Sequence, residues 1–128
     1  MNSVVHFEIP SSDKNRAKKF YSDVFGWDII DMPINGYEYS SAITSPIDEH
    51  YTPKEKGTIN GAIIEKDESV SAPVITINVE SIEEHAKKIE ASGGKLIVPK
   101  DEVPDMGYYA YFKDTEGNVM GLWENLKK

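Results

Sequence analysis

Cysteine is missing from this 128-residue chain altogether. That removes disulfides, thiolate nucleophiles and cysteine-ligated metals in one step. No apolar run approaches the roughly 20 residues that a helix needs to span a bilayer. Basic residues are in the minority: 14 Lys and Arg stand against 22 Asp and Glu, for a formal net charge of −8. A chain so acidic is ill suited to grip the phosphates of a nucleic acid or to dock on an anionic membrane, so neither partner is expected. The first residues carry no basic-then-apolar export pattern, and a soluble cytoplasmic protein is the expectation. Hydrophobic residues make up 39% and charged residues 28%, which suits a globular domain. Half of this length would bury only a marginal core by itself, so two small modules would have to form one compact structure.

What the chain does contain is an internal repeat. Gly57-Thr58-Ile59-Asn60-Gly61-Ala62-Ile63-Ile64-Glu65 is followed about sixty residues later by Gly117-Asn118-Val119-Met120-Gly121-Leu122-Trp123-Glu124. Both alternate like strands, and both carry a glycine at the centre. A glycine inside a strand marks a bulge or a close approach to the backbone. Gly61 and Gly121 are therefore read as looking into a cavity, with Trp123, two residues past Gly121, as a stacking wall for a flat ligand.

The elements before each copy also repeat. Val5, Phe7 and Ile9 alternate with His6 and Glu8, which puts the two titratable residues on one strand face. Ser12 or Asp13 can cap a helix whose apolar stripe is Ala17, Phe20, Tyr21, Val24 and Phe25, packed on the sheet, with Lys14, Lys18 and Lys19 outward. Gly26 ends that helix. Strands follow over Trp27–Asp31 and Tyr37–Ile43, then a polar loop over Thr44–Lys56 long enough to be a lid, then Thr58–Glu65. In the second half, Ile75, Ile77 and Val79 form the apolar face of a strand, and Val74, Thr76 and Asn78 the other. Ser81 and Glu84 make a capping box for a helix running to Gly93-Gly94. Lys95–Val98 reads as a strand, Pro99–Met106 as a loop, and Tyr108–Lys113 and Asn118–Glu124 as strands around the turn Asp114–Gly117. The result is an α+β fold of two tandem βαβββ modules, 1–66 and 67–128, forming a curled mixed sheet with a shared trough. Alternation leaves open which of Tyr37, Tyr39, Tyr108, Tyr109 and Tyr111 face that trough.

Two passages carry a family resemblance over essentially the whole chain. One is His6-Phe7-Glu8-Ile9 with Asp13, Ala17, Phe20-Tyr21 and Phe25-Gly26-Trp27; the other runs from Tyr111 to Trp123. Together they resemble the vicinal oxygen chelate superfamily of glyoxalase I, extradiol dioxygenases, methylmalonyl-CoA epimerase and the bleomycin- and fosfomycin-resistance proteins. In its metal-using members each module gives one ligand from its first strand and one from its last. By that resemblance His6 falls on a ligand position, while the others fall on Val74, Gly61 and Gly121. A catalytic divalent site wants about three protein ligands, so no metal and no cofactor are expected; a divalent ion at His6 is the alternative. The resemblance implies a small-molecule binder of the bleomycin-resistance type, with His6, Glu8, Gly61, Thr76, Asn78, Gly121 and Trp123 around the ligand, and a homodimer. The alternative it implies is a glyoxalase-like lyase or epimerase, with Glu8 and His6 moving the proton.

Overall fold

The computed structural model describes residues 1–127. Its elements are β1 (Val4–Ser11), α1 (Lys14–Phe25), β2 (Asp28–Ile34), β3 (Tyr37–Ile43) and β4 (Asn60–Glu65), then β5 (Val74–Asn78), α2 (Ile82–Ala91), β6 (Lys95–Val103), β7 (Gly107–Lys113) and β8 (Val119–Asn125). The α+β order βαβββ therefore occurs twice. The compact units are His6–Pro73 and a second one formed by Val74 onward together with Met1–Val5. The first residues go with the second unit because the Asn78 amide donates to the Ser3 carbonyl at 2.9 Å and the Asn2 side chain donates to the Asn78 carbonyl at 3.1 Å. Among the described residues no helix is long and apolar enough to cross a membrane.

In the first unit the strands lie in the order β2-β3-β4-β1. β2, β3 and β4 are antiparallel neighbours, and β4 runs parallel to β1 with His6 opposite Asn60, Phe7 opposite Gly61 and Glu8 opposite Ala62. Asn35 and Gly36, both with positive φ, make the two-residue turn that closes the β2–β3 hairpin. Asp13 caps α1, its carboxylate accepting from the Arg16 amide at 3.1 Å. The inward stripe of α1 is not the one its apolar spacing suggests. Phe20, Val24 and Phe25 are 54%, 57% and 59% exposed, and no residue of the helix is fully buried. The helix turns Lys14, Ala17, Lys18 and Tyr21 toward the sheet instead. Two contacts hold that rotation: Tyr21 stacks on Trp27 with centroids 4.8 Å apart, and Lys18 pairs with Asp31 at 2.8 Å. The expected outward Lys18 is thus an inward anchor.

In the second unit the order is β5-β8-β7-β6, with β5 and β8 parallel and the others antiparallel. Val79, Ile82, Ala110, Phe112 and Leu122 form a buried core, and Ile77, Ile89, Leu96, Tyr108 and Met120 pack on it. Each such aliphatic side chain contributes about 1.5–3 kcal/mol when fully buried. Ile75, expected on this face, is 47% exposed. Ser81 caps α2 by accepting from the Glu84 amide at 3.2 Å. The expected loop Pro99–Met106 is shorter than its polarity suggests, because β6 continues to Val103. Its ladder to β7 shifts register between Leu96 and Val98 and again between Val98 and Asp101. Pro99 lies in that irregular stretch, where a missing amide costs the ladder nothing. β2 likewise contains Pro33.

Candidate functional site

The first unit brings His6 and Glu8 together as alternation requires. β1 is flanked by β4, so its polar face carries His6 and Glu8 beside Asn60 and Ala62. From β3, Tyr39 joins them: its hydroxyl lies 3.1 Å from His6 Nε2. Glu8 is buried at 8% exposure and His6 is half-buried. Removal from water disfavours the imidazolium, and the His6 pKa falls from 6.5 to about 4. The ring is therefore neutral at pH 7 and has one N–H and one bare nitrogen. Burial, and then the Glu8 carboxylate and Tyr37, push the Tyr39 phenol well above its ordinary value, so it keeps its proton. The cluster thus joins a neutral imidazole, a protonated phenol and the buried carboxyl group of Glu8. It can donate and accept hydrogen bonds without any net positive charge.

Register decides the tyrosines that alternation left open. Tyr39 faces His6. Tyr37 is 40% exposed, accepts from the Glu65 amide at 3.4 Å and carries Lys14 over its ring at 5.3 Å. In the second unit Tyr109 pairs with Trp123 and Tyr111 with Gly121, so these two lie on the face of Thr76 and Asn78. Tyr108 pairs with Glu124 and packs on the α2 core.

The two strand glycines have a packing reason. A Cβ on Gly121 would lie 2.6 Å from Thr76 Oγ1, because Thr76 stands directly opposite on β5 and is itself buried. A Cβ on Gly61 would collide with the Phe7 carbonyl and lie 2.6 Å from the Phe7 ring. The space beside each glycine is filled by protein. Gly61 moreover shares its face with Phe7, which touches Trp27 at 5.6 Å, and not with His6. The residue that faces Glu8 as Gly121 faces Thr76 is Ala62. Reading Gly61 as the counterpart of Gly121 was one residue out of register, and a one-residue slip reverses every side chain.

Trp123 is half-buried; it lies across Gly107, where a Cβ would come within 2.6 Å of its ring, and its Nε1 donates to Asn125 at 2.8 Å. Glu124, which strand parity sets on the other face from Gly121, has a structural task. Its Oε1 accepts from the Ile82 amide at 2.8 Å, and Oε2 meets Lys100 at 3.2 Å. Burial opposes its ionisation, but the Ile82 amide and Lys100 hold the carboxyl below its ordinary value.

Sequence reasoning missed Tyr39 as the partner of His6 and overlooked Asn60. The Asn60 side-chain oxygen accepts from the amides of Thr44 at 2.8 Å and Ser45 at 3.1 Å. Its position opposite His6 was the available signal, hidden by the register error at Gly61. Two open surface clefts, of about 520 and 380 Å³, lie along Asp31–Glu38 and between β1 and α1; neither is lined by His6 or Glu8. Among the described residues no group of three or more His, Asp or Glu side chains could hold a metal ion. Of the four positions that the resemblance gave as ligands, only His6 carries a side chain that binds metal ions.

Comparison with known proteins adds the relatives. Residues 3–122 match the model of the Glyoxalase/Bleomycin resistance protein/Dioxygenase superfamily. A glyoxylase-like domain-containing protein of Didymella fabae is 33% identical over 120 residues, covering 90% of this chain and 88% of that protein. CFP32 of Mycobacterium tuberculosis, provisionally named a glyoxylase, is 26% identical over 91% of this chain, which spans only 43% of its length. A Streptomyces coelicolor methylmalonyl-CoA epimerase variant, solved with 2-nitronate-propionyl-CoA, superposes with a TM-score of 0.66 at 14% identity, covering 97% of each chain. At that identity the superposition shows the fold alone.

Proposed function

The chain belongs to the glyoxalase/bleomycin resistance/dioxygenase superfamily, and on that premise we propose that it is a small-molecule-binding protein that holds its ligand without a resident metal. The observation that carries this reading is the His6–Tyr39–Glu8 cluster. Three polar groups converge on one sheet face, and the histidine is kept neutral by burial. A few convergent polar groups with a perturbed titration are what a ligand site requires. The cluster offers donors and an acceptor to an uncharged polar ligand. The aromatic face of Thr76, Tyr109, Tyr111 and Trp123 in the second unit is a second candidate surface for a flat ligand.

Native mass spectrometry of gently purified protein tests this directly. The expected species is metal-free and carries an organic adduct that is lost in His6→Ala. A stoichiometric divalent ion that disappears in His6→Ala would overturn the metal-free part of the reading.

A second reading is favoured by the burial of Glu8 beside His6. A buried carboxylate can take a proton from a carbon next to a carbonyl, while the Tyr39 or His6 proton supports the developing oxyanion. Methylmalonyl-CoA epimerases share the fold, and an epimerase or lyase of this kind would need only proton transfer. Without a metal it forgoes several kcal/mol of enolate stabilisation, which is why binding is placed first. Glu8→Gln separates the two: an enzyme loses turnover with its ligand affinity retained, and a binder changes affinity alone.

The same reading includes a homodimer. The exposed Phe20, Val24 and Phe25 on α1 give it an apolar surface to bury. Light scattering that gives a single-chain mass at micromolar concentration would remove it.

A further inference from the structure

We propose that Asn60 is a ligand-binding residue whose Nδ2 donates to an uncharged carbonyl oxygen when the segment from Thr44 to Ile59 opens. This rests on the His6–Glu8 face being the ligand site, because Asn60 stands opposite His6 on the parallel strand β4.

The argument begins with the orientation of the amide. Two backbone N–H groups, those of Thr44 and Ser45, point at one end of the Asn60 side chain. An N–H can only donate, so that end is the oxygen, and the amide has one orientation. Its Nδ2 then faces the other way. It is buried, and it is the one buried side-chain nitrogen or oxygen among the described residues without a hydrogen-bond partner. Buried donors are almost always satisfied, and an orphan needs a reason. Holding the two amides uses only the side-chain oxygen and gives Nδ2 nothing to do. The asparagine therefore serves something beyond holding the segment.

The segment itself is suited to moving. It is anchored near its ends: Asn60 holds Thr44 and Ser45, the Thr44 hydroxyl reaches the Ile59 carbonyl at 2.7 Å, and Ser45 meets Thr58 at 2.9 Å. Between the anchors it is tied mostly to itself, through the Asp48 turn and the isolated bridge between Ile47 and Pro53. An orphaned donor raises the energy of the closed state, so opening is made easier by the same residue that latches it. The acceptor that Nδ2 meets is a neutral carbonyl rather than a carboxylate. Glu8 is buried on the same face, and taking a carboxylate ligand out of water beside that carboxyl group would cost more than taking a neutral carbonyl.

The test uses an isosteric pair of probes, acetamide and acetate, titrated into the 15N-labelled protein at millimolar concentration. The Asn60 side-chain amide signals are assigned through its backbone. Acetamide is expected to move the Asn60 amide pair and the His6 ring signals, and acetate to move neither. In Asn60→Asp the acetamide affinity, read at His6, falls about tenfold, yet hydrogen exchange at Thr44 and Ser45 slows because the carboxylate holds them more tightly. A purely structural asparagine would leave the acetamide affinity unchanged in that variant. Acetamide signals at His6 and Glu8 with none at Asn60 would overturn this inference and leave the site standing. No response at any of the three would overturn both. The wild-type titration stands independently of how Asn60→Asp folds.

Discussion

His6 on β1 and Val74 on β5 sit at matching distances ahead of the helix caps Asp13 and Ser81, and Glu8 matches Thr76 in the same way. The two modules share one topology, in which the first and last strands are parallel neighbours. Yet the first puts an imidazole and a carboxylate on that shared position, and the second puts a valine and a threonine, 1% and 5% exposed, whose burial is complete. The last strands differ as well: Ala62 faces Glu8, and Gly121 faces Thr76. Among the described residues the second module has one buried acidic side chain, Glu124, and it holds the start of α2. The lesson is that a duplicated frame does not duplicate chemistry. The side chains at the parallel strand pair decide which copy carries titratable groups and which is filled by packing.

The largest expected effect that sharpens this contrast is Gly61→Ala. Its Cβ would meet the backbone of Phe7, which cannot rotate away, so overpacking should cost about 3 kcal/mol or more in urea unfolding. A neutral result would mean that β1 and β4 separate more easily than their register implies.

Next comes the titration of His6. Its folded pKa, about 4, lies below the ordinary 6.5. The unfolded chain therefore binds a proton that the folded chain refuses, and the folded state is favoured above pH 6.5. That stability is lost as pH falls from 6.5 toward 4, by roughly 3 kcal/mol. Unfolding measured at pH 7 and pH 5 should show the difference in the wild type and much less of it in His6→Gln. Equal slopes in the two would sink the claim that the first module buries its histidine neutral.

Glu124→Ala should cost about 2 kcal/mol, since it leaves the buried Ile82 amide without its acceptor and Lys100 with Glu83 alone, at 3.5 Å; Glu124→Gln should cost less, because an acceptor remains for Ile82. With its folded pKa depressed, the carboxylate's contribution is present above about pH 4.5 and is lost as pH falls below that. If Glu124→Ala instead leaves stability intact while changing ligand binding, the second module is not the packed copy described above.

The smallest effect is Gly121→Ala, at about 1–2 kcal/mol. Here the obstacle is the Thr76 hydroxyl, so Thr76→Ala should recover most of the loss. Non-additivity in that double-mutant cycle reports the contact itself.

Much of this was legible in the chain. The βαβββ order, the Ser81 cap and the pairing of His6 with Glu8 on one face follow from local spacing and from a period of two, and the cap of α1 was narrowed to Ser12 or Asp13. What was hidden depends on registers that local spacing cannot set. The turn Asp114–Gly117 ties β8 to β7 closely, with Asp114 accepting from the amides of Glu116 and Asn118, and Gly121 was placed on its correct face. No such turn leads into β4, and Gly61 was placed one residue out. The α1 stripe misled for a different reason. Apolar spacing marked Phe20, Val24 and Phe25, but the Tyr21–Trp27 stack and the Lys18–Asp31 pair set the rotation. Tyr39 could not be chosen over its neighbours until β3 was paired.

The outer strand of each module, β2 and β6, contains a proline, and β6 is further broken by two register shifts. A strand added along either margin would meet a proline, and along β6 an uneven ladder as well. These margins are therefore poor templates for runaway cross-β growth.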